Sequence, residues 1–232
     1  MKIGIIAAMD EELVQLTAQL DQRSDMRIGQ FDFHVGKING IEVILSRCGI
    51  GKVNAAVGAT LLLEKFKPNY LINIGVAGGF SNEVNVGDVV ISSEVRHFDA
   101  DATAFQYELG QIPQMPANYK ADSNLLRIAG KVKLGDTNVA VHQGAILSGD
   151  TFVHTPQHIS FLAEKFPEAM AVEMEGAAIA QTGFLFDIPF ILIRSISDRI
   201  RDTDNKSVYE NSLNKAAESS VRMALGILQS MN

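Results

Sequence analysis

The 232-residue chain has no tryptophan, one cysteine and only six prolines. With Cys48 alone, no intrachain disulfide can form, which excludes a disulfide-stapled secreted domain and points to a reducing compartment. Basic charge is also short. The 27 acidic side chains against 20 basic ones give a formal charge of −7, which argues against a nucleic-acid or anionic-membrane partner, since either favours a basic face. No apolar run reaches the ~20 residues of a membrane span, and the opening MKIGIIAAMDEE lacks the basic, apolar and cleavage regions of a signal peptide. A cytoplasmic protein is expected. There is no internal repeat, low-complexity stretch or linker, so residues 1–232 are expected to form one domain, long enough to bury one sizeable core.

What is present is an alternation of strand and helix signals. Lys2 to Ala7 reads as a buried strand, and Asp10 to Leu20 as a helix with an acid-rich first turn. Phe31 to Ile38 and Ile41 to Arg47 flank Asn39-Gly40, a two-residue hairpin signal. Further strands are expected at Leu71 to Ile74, Val86 to Val95, Val139 to Ser148, Met170 to Val172 and Phe190 to Ile193. Helices are expected at Val53 to Phe66, Asp122 to Lys133, Pro156 to Phe166, Gly176 to Phe186 and Tyr209 to Met231. The fold class that follows is a three-layer α/β/α domain with a central mixed, twisted sheet flanked by helices.

Two segments put charge where a core pattern calls for none. The strand before Glu173-Met174-Glu175 runs into two carboxylates, and ILIRSISD carries Arg194 and stops at Asp198. In open α/β sheets, ligands bind outside the carboxyl ends of strands, so these residues mark a candidate active site. Each also has a plain structural explanation: one exposed and one ion-paired glutamate, and an N-cap for Asp198. The run Gly75-Val76-Ala77-Gly78-Gly79 follows another strand and fits either a crowded turn or close approach to a ligand. Phe152, after Ser148-Gly149-Asp150, fits core packing or stacking on a base.

Other motifs are set aside. Gly49-Ile50-Gly51-Lys52 lacks the third glycine of a dinucleotide fingerprint and the Ser or Thr of a phosphate-binding loop, and reads as a tight strand-to-helix turn. His154 and His158 have Pro156 between them and no third ligand, so no metal site is expected. Cys48 has no histidine partner in sequence that would make it a nucleophile.

Taken in order, MKIGIIAAMDEE, CGIGKVNAA, INIGVAGG, GDVVIS, DADATAF, SGDTF, AVEMEGAAIA and ILIRSISD make the chain resemble the 5′-methylthioadenosine/S-adenosylhomocysteine nucleosidases of the purine nucleoside phosphorylase-like group. The resemblance runs from Met1 to the C-terminal helix. It implies hydrolysis of the N-glycosidic bond of adenosine-derived thioethers, in methionine salvage, without a cofactor. By that resemblance Asp198 is the acid that protonates adenine, Glu12 the base that activates water, and Glu175 the anchor of the ribose hydroxyls. Arg194 would orient Glu175, Ser197 would hold Asp198, and Met9 and Met174 would touch the ribose and 5′ substituent. Phe152 would stack on adenine while the Val153 backbone meets its edge, with Ile50, Val76, Gly78 and Glu173 also in the site. Val208 stands at the 5′ end. The segment 98–119 is too apolar for a solvated loop, and the resemblance places it at a homodimer interface, with Ala102, Phe105 and Pro113 reaching the neighbouring pocket.

The chain departs from the family pattern at Val76, where Ser or Thr is common, at Gly176, usually alanine, at Val208, often phenylalanine, and at Ala7, often glycine. These bear on the preference among 5′ substituents. A phosphorylase of this group would carry an arginine where Asn73 stands, and a binding module without catalysis would not need Glu12, Glu175 and Asp198 together. Futalosine or AMP as the nucleosidase substrate is a further possibility, and AMP is disfavoured by the lack of basic residues near the glycine run.

Overall fold

The structure is a computed structural model that describes residues 1–135, 139–202 and 205–231. Ten strands run in chain order as β1 (Lys2–Ala7), β2 (Asp21–Ile28), β3 (Phe31–Ile38), β4 (Ile41–Arg47), β5 (Tyr70–Gly79), β6 (Val89–His97), β7 (Tyr119–Lys120), β8 (Val141–Ser148), β9 (Ala169–Glu173) and β10 (Phe190–Arg199). Among the described residues six α-helices join or flank them: α1 (Val14–Thr17), α2 (Lys52–Phe66), α3 (Ser123–Ala129), α4 (Pro156–Lys165), α5 (Gly176–Leu185) and α6 (Asn205–Ser230).

The strands form one mixed sheet in the order β10-β6-β8-β9-β5-β1-β4-β3-β2, with β7 beside β6. Because β10 also pairs with β5, the strands β5, β10, β6, β8 and β9 close into a ring, and β1, β4, β3 and β2 extend from it. Side chains alternate across each strand. Ile3 and Ile5 of β1 therefore join a core with Val221, Ala224 and Leu228 of α6. Ile6 faces the other way, onto Ala55, Ala59 and Leu62 of α2 and Ile179 of α5. The sheet is thus covered on both sides, as the alternation in the sequence implies.

Several expectations are corrected in detail. The helix expected over Asp10 to Leu20 is a 3-10 turn at Asp10–Glu12 followed by the single turn α1, because the Leu13 amide bonds Asp10 O, three residues back. Strand β2 was not expected: DQRSDMRI is an edge strand with almost every residue exposed, so neither face carries an apolar alternation. The glycine run is not a turn but the second half of β5, paired in parallel with β10. For the same reason Asp198 is not an N-cap. It lies in β10 just after a bulge, opposite Gly78. The Asn39-Gly40 hairpin is as expected, with positive φ at both residues.

Candidate active site

Strand ends and the turns that follow them converge on one cavity of about 180 Å³, lined among others by Met9, Glu12, Ile50, Val76, Gly78 and Phe152. Glu173, Met174, Glu175, Ser197, Asp198 and Tyr209 complete its wall. The three carboxylates of Glu12, Glu175 and Asp198 come from the turn after β1, the turn after β9 and the strand β10. They are 2, 7 and 2 % exposed, a burial that isolated ionised carboxylates do not tolerate without partners.

Glu12 finds its partners in backbone amides. Its Oε2 accepts from Ala8 N and Met9 N, both at 2.9 Å, and its Oε1 from Val76 N at 3.1 Å. Burial nevertheless outweighs these bonds and the nearby Arg194 charge, and pushes the carboxyl up to about 6. The close fit requires glycine at position 75, where a Cβ would lie 2.8 Å from Glu12 Oε1.

Glu175 Oε1 accepts from Gly51 N at 2.7 Å. Burial, and next the neighbouring Glu173, raise its carboxyl well above the usual range. Ser197 Oγ lies 2.8 Å from Asp198 Oδ1 and 3.2 Å from Ala77 O.

Arg194 lies outside the cavity lining, and its hydrogen bonds go to Glu173 and not, as the resemblance had implied, to Glu175. Its Nη2 bonds Glu173 Oε2 at 2.6 Å and the Asn73 side chain, while Nη1 reaches Ile193 O at 3.1 Å. Arg194 thus lies behind the site, on Glu173. Glu173 in turn accepts from Ser148 Oγ, from Glu175 N at 3.1 Å and from Gly176 N at 2.8 Å. A carboxylate at the first amides of α5 complements the helix dipole. Glu173 is therefore saturated by the protein, with little left for a ligand.

The remaining expected residues divide. Val153 is buried in a small adjoining cleft that it shares with Gly78, Phe152 and Asp198. Ile50 and Phe152 are exposed at the cavity's rim. Val208 is half-buried on α6 and does not line the cavity. Its neighbour Tyr209 does, with its ring edge-on to Phe152 at 5.8 Å and its hydroxyl 3.7 Å from Met9 Sδ. Tyr209 is the residue that sequence reasoning missed. The signal was a second aromatic candidate one position beyond Val208. Ala102, Phe105 and Pro113 lie outside this chain's own cavity, and Phe105 is 78 % exposed.

Among the described residues the cavity lining holds neither lysine nor arginine. Arg47 is paired with Asp10 at 3.2 Å, and Arg96 with Glu108 at 2.9 Å and the Leu109 carbonyl. Asn73 is buried, donating to Ile6 O at 2.8 Å.

Comparison with known proteins agrees with this architecture. A sequence profile of the phosphorylase superfamily matches residues 2–229. The chain is 64 % identical over 231 residues to the 5′-methylthioadenosine/S-adenosylhomocysteine nucleosidase of Maridesulfovibrio salexigens, covering 100 % of both. It is 53 % identical to that of Desulfotalea psychrophila, covering 100 % of this chain and 98 % of the relative. Among solved structures, the nucleosidase of Colwellia psychrerythraea in complex with adenine superposes with a TM-score of 0.97 at 38 % identity, over 99 % of this chain and 95 % of that one. The Neisseria meningitidis nucleosidase in complex with methylthio-immucillin-A gives 0.95 at 38 % identity, over 99 % of each.

Proposed function

The chain belongs to the phosphorylase superfamily and, within it, to the 5′-methylthioadenosine/S-adenosylhomocysteine nucleosidases, and from that membership we propose how its residues carry the reaction. The enzyme hydrolyses the N-glycosidic bond of 5′-methylthioadenosine and S-adenosylhomocysteine, releasing adenine and the 5-substituted ribose, a step of methionine salvage. We add 5′-deoxyadenosine as a third substrate.

Cleavage passes through an oxocarbenium-like ribose while negative charge gathers on the departing base. Asp198 donates the proton to adenine, Glu12 takes one from the attacking water, and Glu175 holds the ribose hydroxyls beneath the cationic ring. A base raised to about 6 is ionised at neutral pH yet close enough to it to accept a proton effectively. Gly51 occupies only Oε1 of Glu175, which leaves Oε2 for a hydroxyl. Phe152 and Tyr209 flank the base and sugar, and Met9 and Met174 give soft apolar contact to the thioether. The observation that carries this reading is the convergence of the buried Glu12, Glu175 and Asp198 on one cavity from three separate segments.

Water is the nucleophile in this reading, since among the described residues no lysine or arginine of the cavity lining offers a phosphate its partner. Adenine release, followed by ultraviolet absorbance with and without phosphate, tests this. Equal rates and free 5-methylthioribose are expected; a phosphate-dependent rate with a sugar 1-phosphate product would overturn the hydrolytic reading.

We further propose that residues 1–232 act as one catalytic domain in a cytoplasmic homodimer. Exposed Val53 and Val57 on α2, Phe184 and Leu185 on α5, and Phe105 in the 98–119 segment offer apolar surface for a second copy. Ala102, Phe105 and Pro113 would then close the partner's 5′ end. Sedimentation of the active enzyme at nanomolar concentration should give a dimer mass; full activity in a monomer would overturn it. Among the described residues no helix is long and apolar enough to cross a membrane.

A further inference from the structure

The turn before α2 supplies the amide that holds Glu175, so whatever fixes that turn fixes the anchor. Gly51 sits at φ +93°, and a Cβ there would come 3.1 Å from Asp150 Oδ1. Position 51 is therefore confined both by its backbone conformation and by Asp150. The next amide, Lys52 N, is the first of α2 and lacks an acceptor within its own helix. Asp150 Oδ1 accepts it at 2.7 Å. Asp150 N in turn donates to Asp99 Oδ2 at 2.9 Å, and Asp99 Oδ1 lies 2.6 Å from Lys52 Nζ.

These three bonds close a ring through three segments that are distant in sequence. Lys52 begins α2, Asp99 lies two residues after β6 at the head of the 98–119 segment, and Asp150 lies two residues after β8 and two before Phe152. An ordinary partly exposed ion pair adds little to stability. The weight of this one lies in the two backbone amides that it fixes, one beside the Gly51 donor and one beside the aromatic platform.

We propose that Lys52, Asp99 and Asp150 are positioning residues: a clasp that holds the Gly51 amide on Glu175 and so sets the grip on the ribose hydroxyls. The proposal rests on the reading of Glu175 as ribose anchor. It also gives the segment proposed to meet a second subunit a short covalent and hydrogen-bonded route to the anchor, since Asp99 belongs to both.

The test compares 5′-methylthioadenosine with its 2′-deoxy and 3′-deoxy analogues. Lys52→Met keeps the aliphatic stem and opens the ring. It should lower kcat/KM on the ribo substrate about tenfold, but by less than about twofold on the analogue lacking the hydroxyl that Glu175 grips. Lys52→Arg should recover most of the loss. Asp99→Asn, which preserves shape, should repeat the pattern and serves if Lys52→Met does not fold. Glu175→Gln is the control. If it discriminates between the substrates and the clasp variants lose rate equally on all of them, or lose none, the clasp is only structural and the proposal is overturned. If Glu175→Gln itself does not discriminate, the anchor reading fails first and the clasp proposal with it.

Discussion

Arg194 and Glu173 form a buried ion pair directly behind the cavity, with Nη2 2.6 Å from Oε2 and both side chains nearly inaccessible. Glu173 also accepts from Glu175 N and from Gly176 N, the first amide of α5, so the pair secures the turn that carries Glu175. Removing one member of such a pair leaves an uncompensated charge. Arg194→Met is expected to cost about 3–5 kcal/mol in urea unfolding. Adding Glu173→Gln should recover much of it, whereas an additive double variant would mean that the two charges do not depend on each other.

Gly75 faces the other end of the site. A Cβ there meets Glu12 Oε1 at 2.8 Å and lies 3.5 Å from the Arg194 guanidinium carbon. Because Glu12 is the flexible partner, Gly75→Ala should displace the carboxylate rather than break the strand. Turnover is expected to fall about 10²-fold or more, the usual worth of a general base, with a melting temperature within a few degrees of the parent. Unchanged turnover would mean that the carboxylate has slack.

Much of this was legible in the sequence because it follows from local pattern. The short apolar strands, the Asn39-Gly40 hairpin and the residues at strand ends report themselves through periodicity and turn chemistry. Edge strand β2 did not, since an edge exposed on both faces has no alternation to read. The ring closure between β5 and β10 is a pairing between segments more than a hundred residues apart, and no local signal encodes it. The same holds for the partner of Arg194. Sequence placed a cation among two glutamates, and only the strand register decides that Glu173 takes it. Tyr209 went unread for the same reason, since the residues it meets at the cavity, Phe152 and Met9, are far from it in sequence.

The pH dependence follows from Glu12. Burial raises its carboxyl from 4.5 to about 6, and a general base must be ionised to act. Lowering the pH through 6 should therefore protonate it and remove activity, so the acid limb of the kcat/KM profile should bend near 6 rather than near 4.5. Glu12→Gln should abolish turnover at every pH. An acid limb that stayed near 4.5 would assign the base role to a less buried group.

Gly176 explains one departure from the family pattern. Its φ is not in the left-handed region, so alanine is conformationally allowed there, and in a helix alanine gains up to about 1 kcal/mol over glycine. Space decides otherwise. A Cβ at 176 would lie 2.1 Å from Leu192 Cδ2 and 3.0 Å from Glu173 Oε1, and Leu192 is wholly buried on β10. Overpacking of this kind costs about 1–3 kcal/mol, enough to offset the gain. Gly176→Ala alone should therefore be neutral to destabilising and, through Glu173, reduce turnover. Combined with Leu192→Val, which has no δ carbon, it should be more stable than the sum of the single effects by about 1 kcal/mol in a urea double-mutant cycle. Additivity would mean that Leu192 swings clear without cost, and that glycine at this position owes nothing to the packing of β10.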